Sequence, residues 1–451
     1  MSSLDTIAFG AHLEQPVPRY ASYPTPTSFH EGVQGARYDA WLAALRPDAR
    51  ISVYVHIPFC ERLCWYCSCR TQAMRNRSIV SSYLDSLVSE IERSAARLPA
   101  GARVQRVTWG GGSPTSLAPG EVARLAGALA ANLPLANNLD FAVEVDPALT
   151  EEARLDALAD AGMTRAIISV QDFEPSVQAA IGRSQSREQT EAAVTRLRAR
   201  GISTIAIEQL YGLPLQVPGS VVAVAQSVAR LAPERITLVG YAHVPWLARR
   251  QRMIAEETLP GLRARLSHFQ AAVGIYRDAG YAGVGTDTFV RPDSPLALAG
   301  QAGRLRRGFD GYAAEAEDAL VGFGASAISR LPQGYVQNHS QTRAYQAALA
   351  RGGAAASQGV AMTLEDKVRA RAIEMLMCGF AIDLAEIRAE FGDFVALLEE
   401  GCAAAVARYG TYVRREGDVL RIERNGPVLA RLVARLFDPR ITASAHYGMA
   451  V

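Results

Sequence analysis

The stretch "ISVYVHIPFCERLCWYCSC" (51–69) joins an apolar, β-branched run to four of the six cysteines in the chain. Residues 51–57 predict a buried β-strand, because β-branched and aromatic side chains favour extended structure. The cysteines follow at the point where this strand ends. In α/β barrels the loops after the carboxyl ends of the strands handle the ligand. The stretch therefore predicts the first strand of the barrel and the loop at which the functional site lies.

Apolar runs and helical patterns alternate strictly after this stretch. Strands are predicted at 103–109, 139–145, 165–170, 202–210 and 235–241, and helices at 80–98, 120–133, 150–162, 186–201 and 220–232. Such alternation is typical of a parallel sheet with right-handed crossovers. We expect an α/β fold, a partial (β/α)6 TIM-like barrel with its extension, over residues 51–355.

Two segments flank the predicted barrel. Residues 1–50 are Pro-rich and irregular and are interpreted as an N-terminal arm that closes over the barrel mouth. Residues 356–451 predict a mostly helical C-terminal domain with a hairpin that turns at 416–418, which resembles a winged helix. This segment has no concentrated basic stripe, so a covering or docking role is favoured over DNA binding.

Composition limits the possible partners and the compartment. The 451 residues have a formal net charge of +2, which does not indicate nucleic acid or an anionic membrane. No window approaches the roughly 18 apolar residues of a membrane span, and the start lacks the pattern of a secretory signal. We expect a cytoplasmic monomer. Clustered cysteines in a reducing compartment indicate metal or redox chemistry rather than a disulfide.

The cysteine spacing selects a kind of metal site. Cys60, Cys64 and Cys67 form C-x3-C-x2-C, which can hold three corners of a [4Fe–4S] cluster and leave one iron open. Zinc is the alternative, but structural zinc sites use a second ligand pair. Cys378 and Cys402 lie alone in helical patterns and are interpreted as buried small apolar side chains.

The segment "YVHIPFCERLCWYC" (54–67) resembles the signature of the radical S-adenosylmethionine (SAM) superfamily. With Cys69 it reads C-x3-C-x2-C-x-C and is similar to the oxygen-independent coproporphyrinogen III oxidase family. The similarity continues through "PRYASYPT" (18–25), "YGLP" (211–214), "GYAHVP" (240–245), "GFGASAIS" (322–329) and "QN" (337–338).

This resemblance implies an activity and its cofactors. A [4Fe–4S] cluster would reduce bound SAM to yield a 5′-deoxyadenosyl radical. The radical would take hydrogen from a propionate, and two rounds would convert coproporphyrinogen III to protoporphyrinogen IX. The implied partners are this porphyrinogen and an electron donor such as flavodoxin or ferredoxin.

The resemblance also implies the residues of the cofactor sites. Several of them, such as Glu144 and Gln171, are polar residues at predicted strand ends, where they can meet a ligand. The residues implied for the SAM on the cluster are Tyr54, Gly111, Glu144 and Ile328. Those implied for a possible second SAM are Tyr66, Gly112, Ser113, Gln171, Arg183, Glu208 and Ala242.

A substrate with four carboxylates requires cations around it. The candidates are Arg19, Arg249, Arg250, Arg306 and Arg307. Other candidates near the substrate are Cys69, Phe309 and Asp310.

Four positions depart from the pattern of the family: Glu208, Thr286, Thr288 and Asp310 replace Asp, Met, His and Gln. These departures prompt the first of three alternatives, and the wing-like C-terminal segment prompts the third. One is a radical SAM paralogue that acts on another heteroaromatic substrate, the second is a haem chaperone, and the third is a zinc-dependent regulator.

Overall fold

Six parallel strands form the centre of the molecule in this computed structural model, which describes residues 15–441. Their bounds are β1 Arg50–Ile57, β2 Arg103–Gly111, β3 Leu135–Val145, β4 Arg165–Val170, β5 Thr204–Tyr211 and β6 Arg235–Gly240. They pair in chain order, each parallel to the next. The predicted alternation is confirmed, and the strand ends agree with the sequence prediction within about four residues.

Helices connect these strands as right-handed crossovers require. Local sequence explains where they begin: Asn76 accepts a hydrogen bond from the Ile79 N–H, and Ser186 forms a capping box with Gln189. The helices up to β6 are α1 Gly35–Ala43, α2 Arg77–Ala95, α3 Pro119–Asn132, α4 Glu152–Asp160, α5 Pro175–Ile181, α6 Arg187–Ala199 and α7 Pro218–Arg230.

The chain after β6 extends the sheet on both sides. It contains β7 Ala282–Val284, β8 Thr288–Val290, the hairpin β9 Arg306–Gly308 and β10 Gly311–Ala313, then β11 Ala319–Phe323, β12 Ile328–Leu331, β13 Gly334–Asn338 and β14 Ala356–Ala361. The twelve-stranded sheet has the order β14-β13-β12-β11-β1-β2-β3-β4-β5-β6-β8-β7. Within residues 15–441 no ladder joins its two edges, so the predicted partial barrel is confirmed as an open sheet.

One face of β1, at the centre of the sheet, is buried in the core. Ile51, Val53, Val55 and Ile57 of β1 are at most 1% exposed. Burial of each such side chain contributes about 1.5–3 kcal/mol. Strand β1 is held between β2 and β11, both parallel to it, which fixes the position of the loop that follows.

The interpretation of residues 1–50 as irregular is wrong for Gly35–Ala43, which form α1. Tyr38, Trp41 and Leu42 of this helix are buried. Their i, i+3, i+4 spacing is the amphipathic signal that the Pro-rich composition obscured. The preceding part of the arm contains a helical turn, Pro26–Ser28, and its Tyr20 and Tyr23 are buried. Residues 1–14 lie outside the described residues.

Helices dominate the C-terminal part of the chain. The remaining helices are α8 Leu262–Asp278, α9 Pro295–Gln301, α10 Thr342–Ala350, α11 Leu364–Gly379, α12 Leu384–Phe391, α13 Glu399–Tyr409 and α14 Gly426–Ala434. The predicted hairpin is present as β16 Val413–Glu416 and β17 Val419–Ile422, with Gly417 at φ 57°. A third strand, β15 Ala381–Asp383, pairs with β17. Among residues 15–441, no helix is both long and apolar enough to span a bilayer.

Candidate functional site

The cysteine loop, residues 60–69, leaves the carboxyl end of β1 and returns beside it. A short parallel ladder pairs Phe59 with Gln72 and Cys60 with Ala73, and the Met74 N–H donates to the Cys60 carbonyl at 2.9 Å. These bonds close the base of the loop. All six cysteines of the chain have free thiols.

The three predicted ligand thiols are close enough to influence one another electrostatically. Burial, together with the charges of Cys67 and Cys64, raises the pKa of Cys60 to about 12. Burial likewise raises the pKa of Cys64, against the lowering effect of Arg183. Hydrogen bonding from Cys69 lowers the pKa of Cys67 to about 6. Thiols that repel one another as anions are stabilised by a cationic metal centre, which holds them as thiolates.

The arrangement fits a cluster better than a single ion. Among residues 15–441, no three His, Cys, Asp or Glu side chains converge closely enough to coordinate one metal ion. Three cysteines spaced C-x3-C-x2-C on one short loop match the corners that a [4Fe–4S] cluster offers to protein ligands.

Arg183 lies next to the cysteine loop, and Asp146 and Gln185 hold its guanidinium group in place. Its Nη1 and Nη2 donate to the Asp146 carboxylate at 3.1 and 2.9 Å, and Nη2 also donates to Gln185 Oε1 at 2.7 Å. Nη1 is 3.8 Å from Cys64 Sγ. Sequence reasoning named Arg183 but missed Asp146, although Asp146 follows the end of β3.

Glu144 occupies the end of β3, where two glycines let it approach β2. Its Oε2 accepts the Gly111 N–H at 3.0 Å, and a Cβ at Gly110 would collide with the carboxylate. Gly111 has φ 103°, and a Cβ there would collide with the His56 ring. His56 was missed by sequence reasoning. Its Nε2 lies 3.0 Å from the Arg70 carbonyl, which ties β1 to the cysteine loop.

Two carboxylates, Glu144 on β3 and Glu208 on β5, line the cavity. Burial, together with the charge of Glu208, raises the pKa of Glu144 to about 8. Burial also raises the pKa of Glu208, while the Ser169 hydroxyl, 3.3 Å from Oε2, lowers it. A cationic ligand between these carboxylates would relieve both shifts. SAM, with its sulfonium and ammonium groups, is such a ligand.

Gln171 is buried at 2% exposure, and neither Oε1 nor Nε2 has a hydrogen-bond partner among the described residues. An unpaired buried amide is costly, so a ligand with both a donor and an acceptor fits this position. Thr108 Oγ1 is buried without a partner as well, and Thr108 lines the central cavity.

The other predicted cofactor residues also lie around the loop. The N–H groups of Gly112 and Ser113 donate to the carbonyls of Ile57 and Phe59, each at 2.8 Å, so this turn supports the loop directly. The Tyr66 carbonyl accepts from Gln251 Nε2 at 2.7 Å.

A cavity of about 650 Å³ occupies the inside of the partial barrel. Its walls come from the strands, the arm, the β9–β10 hairpin and α14. Seven of the predicted site residues line it: Tyr54, Glu144, Glu208, Ala242, Ile328, Phe309 and Asp310. The predicted ligand cysteines and Tyr66 belong to the loop, and Gly112, Ser113 and Arg183 contact it or the residues just before it. Gly111 and Gln171 do not line the cavity. Cys69 is exposed at the end of the loop.

Six arginines line the cavity: Arg19, Arg165, Arg235, Arg265, Arg307 and Arg431. Only Arg19 and Arg307 were predicted. Of the other candidates, Arg306 pairs with Glu374 at 3.2 Å, and Arg250 donates to the Cys69 carbonyl at 3.1 Å. Arg249 is exposed and does not line the cavity.

The cavity arginines destabilise one another. Burial lowers the pKa of Arg431 to about 9, and the charge of Arg19 lowers it further. Burial lowers the pKa of Arg235 to about 10, with Arg165 the next cause. Crowded guanidinium groups are the donors expected around an anion with several carboxylates.

All four departures from the family pattern, Glu208, Thr286, Thr288 and Asp310, line the cavity. Thr286 is fixed by Tyr312, whose hydroxyl lies 3.1 Å from Thr286 Oγ1. Thr288 donates to Asp287 at 3.2 Å. Burial raises the pKa of Asp310, while Arg106 lowers it.

The sequence of this chain matches a known protein family and several known proteins. Residues 54–225, which contain the second half of β1 and the cysteine loop, match the family model of the Radical SAM superfamily. The chain is 44% identical over 96% of its length to an oxygen-independent coproporphyrinogen III oxidase of Paracoccus denitrificans, and covers 96% of that protein. It is 35% identical to the protein of the same name from Pseudomonas aeruginosa, with 96% of each chain covered.

The fold of this chain resembles a solved structure over nearly its whole length. The coproporphyrinogen III oxidase of Escherichia coli, described as a radical SAM enzyme, superposes with a TM-score of 0.89 at 32% identity. The match covers 95% of this chain and 100% of that one. The chain belongs to the oxygen-independent coproporphyrinogen III oxidase family of the radical SAM superfamily. Its cofactors are accordingly a [4Fe–4S] cluster and SAM.

Proposed function

We propose that this protein converts coproporphyrinogen III to protoporphyrinogen IX by oxidative decarboxylation of two propionates. The observation that carries the proposal is the set of six arginines around a cavity beside the cysteine loop. A porphyrinogen with four carboxylates satisfies these cations, and the volume of about 650 Å³ is within the range of small-molecule sites. For each propionate, –CH2–CH2–COO⁻ becomes –CH=CH2 with loss of CO2, one hydrogen atom and one electron.

The residues of the chain hold the cofactors in place. Cys60, Cys64 and Cys67 hold the cluster, and Tyr54, Glu144, Gly111 and Ile328 hold the SAM beside it. When bound, the cluster and SAM supply the radical chemistry that removes the hydrogen atom. Residues for a second SAM are Tyr66, Gly112, Ser113, Gln171, Arg183, Glu208 and Ala242.

In this proposal the cavity arginines bind the substrate. The arm and α14 cover the cavity and exclude water. Val17, Pro18 and Arg19 of the arm and Val428 and Arg431 of α14 line the cavity. Arg431 donates from Nε to the Pro18 carbonyl at 2.9 Å and from Nη2 to the Val17 carbonyl at 2.7 Å. This cover protects a radical from quenching by solvent. Phe309 and Asp310, at the tip of the β9–β10 hairpin, contact the substrate from the opposite wall.

The same proposal includes the electron donor, the cellular location and the oligomeric state. The cluster receives electrons from a carrier such as flavodoxin or ferredoxin. A cytoplasmic location agrees with six free thiols. A monomer suffices because one chain provides both the barrel and its cover, and neither nucleic acid nor membrane is required.

The test is a turnover assay without oxygen. Reconstituted protein receives dithionite, SAM, coproporphyrinogen III and a cell extract as electron acceptor. Protoporphyrinogen and two CO2 per product are expected. Formation of 5′-deoxyadenosine without a decarboxylated porphyrinogen would contradict this substrate and assign Thr286, Thr288 and Asp310 to a different one.

A further inference from the structure

An exposed apolar and basic segment lies directly against the cysteine loop. It begins after β6 and contains the helical turn Arg249–Met253. Within it, Trp246, Leu247 and Met253 are 48%, 59% and 61% exposed. Large apolar side chains concentrated on one exposed segment mark an interaction site rather than the ordinary scatter of surface residues.

The segment and the loop are joined by hydrogen bonds. Arg250 Nη2 donates to the Cys69 carbonyl at 3.1 Å and to Thr71 Oγ1 at 2.8 Å. Gln251 Nε2 donates to the Tyr66 carbonyl at 2.7 Å. A molecule that covers the segment is therefore adjacent to the backbone that carries the cluster ligands.

The same surface is positively charged. Residues 60–71 and 246–253 together contain five arginines and one glutamate, whereas the whole chain has a net charge of only +2. Arg62, Arg70, Arg249 and Arg252 are exposed, and none forms an ion pair within residues 15–441. Such charges attract and orient a partner of opposite charge.

We infer that the donor face, formed by residues 60–71 and 246–253, docks a small acidic protein that carries single electrons. This inference rests on the proposed function, which needs one-electron reduction of the cluster. The exposed arginines orient the acidic carrier, and Trp246 and Met253 provide the apolar centre that interfaces require. The alternatives, an anionic membrane surface or a second copy of the chain, are outcomes of the test.

Binding of a bacterial flavodoxin, an acidic flavoprotein, tests the inference without relying on turnover. The variant Arg249→Glu/Arg252→Glu reverses two exposed cations of the donor face. The matched control Arg421→Glu/Arg424→Glu makes the same change in charge near the C-terminal hairpin, where both arginines are exposed and neither has an ion pair among the described residues. Affinity is measured by calorimetry on the reconstituted protein at low and at moderate salt.

The donor-face variant should bind flavodoxin at least about tenfold more weakly, with a smaller dependence on salt, and the control within about twofold of wild type. Met253→Ser should weaken the binding that remains at moderate salt. Turnover driven by dithionite should stay unchanged in all three variants. Its failure in wild type would contradict the proposed function without affecting the binding result.

Three results would overturn the inference. The first is equal weakening in the donor-face variant and in the control. The second is an absence of flavodoxin binding by the wild type. The third is binding to phosphatidylglycerol vesicles, or self-association, that is lost in Arg249→Glu/Arg252→Glu.

Discussion

Arg183 and Asp146 form a two-point ion pair, at 3.1 and 2.9 Å, that holds the guanidinium 3.8 Å from Cys64 Sγ. Arg183 comes from the turn after α5 and Asp146 from the end of β3, so the pair connects two units of the barrel. Both side chains are largely buried. The position of a cation beside a predicted cluster ligand thus depends on a carboxylate that, among the described residues, forms no hydrogen bond with a cysteine.

Asp146→Asn should raise the reduction potential of the cluster. Without the carboxylate the positive charge of Arg183 is no longer balanced, and a cation favours the reduced, more negative cluster. We expect a positive shift on the order of tens of millivolts in a redox titration, and a loss of about 2 kcal/mol in the free energy of unfolding. Asp85→Asn removes an exposed ion pair with Arg124 and should change neither. A potential that stays constant or falls would contradict this role of Asp146.

Arg431→Gln should weaken both the attachment of the arm to α14 and the binding of the substrate. The guanidinium holds the carbonyls of Val17 and Pro18 and also lines the cavity. We expect KM for the porphyrinogen to rise about tenfold, because one charge-assisted contact is lost. Cleavage of the arm by trypsin should be faster. Arg424→Gln, at an exposed position, is the control, and an equal effect in both variants would be inconsistent with the prediction.

Gly111→Ala should disrupt the contact between β2 and the end of β1. Gly111 has φ 103°, and the added methyl group would collide with the His56 ring. We expect weaker SAM binding in equilibrium dialysis. Gly120→Ala is the matched substitution, since position 120 is in the first turn of α3 and has open space around it. Unchanged SAM affinity in Gly111→Ala would show that this turn does not position the cofactor.

Glu90 should make the stability of the cluster-free protein fall as the pH rises from about 4.5 to 7. Burial raises the pKa of this carboxyl to about 7, although it accepts hydrogen bonds from Tyr345 Oη, the Gly324 N–H and Asn338 Nδ2. Between its unfolded and folded pKa values the folded protein binds the proton more tightly. The stabilisation is therefore complete below about pH 4.5 and is lost towards pH 7.

The loss is on the order of 3 kcal/mol, measured by urea unfolding at a series of pH values. Glu90→Gln should flatten this part of the profile. Glu92→Gln, which changes an exposed carboxylate on the same helix, should leave the slope intact. If the free energy of unfolding still falls with pH in Glu90→Gln, another titratable group causes the fall.

The barrel was predictable, and candidate cluster ligands could be proposed, because their signals are local. Strand β1 is a continuous β-branched run, and Cys60, Cys64 and Cys67 follow it within ten residues. Glu144 and Gln171 were found for a related reason, because each lies at the end of a predicted strand.

Contacts between distant segments were not predictable in the same way. Arg265 belongs to α8 and Arg431 to α14, yet both line the same cavity. No pattern along the sequence brings these residues together, since their positions depend on how α8 and α14 pack against the sheet. Arg165 and Arg235 were missed because each begins a strand, whereas we searched for ligand contacts at strand ends. Helix α1 was missed because the prolines around it dominated the interpretation.

The most direct test of the account is the electron paramagnetic resonance spectrum of the reduced protein with and without SAM. Protein reconstituted without oxygen should contain about four iron and four sulfide ions per chain. Its spectrum should change when SAM is added, because Cys60, Cys64 and Cys67 leave one iron free to bind it. Cys64→Ala should lose the signal, whereas Cys402→Ala, in the core of the C-terminal part, should keep it. A protein that takes up no iron and sulfide, or a cluster spectrum that SAM leaves unchanged, would contradict the account.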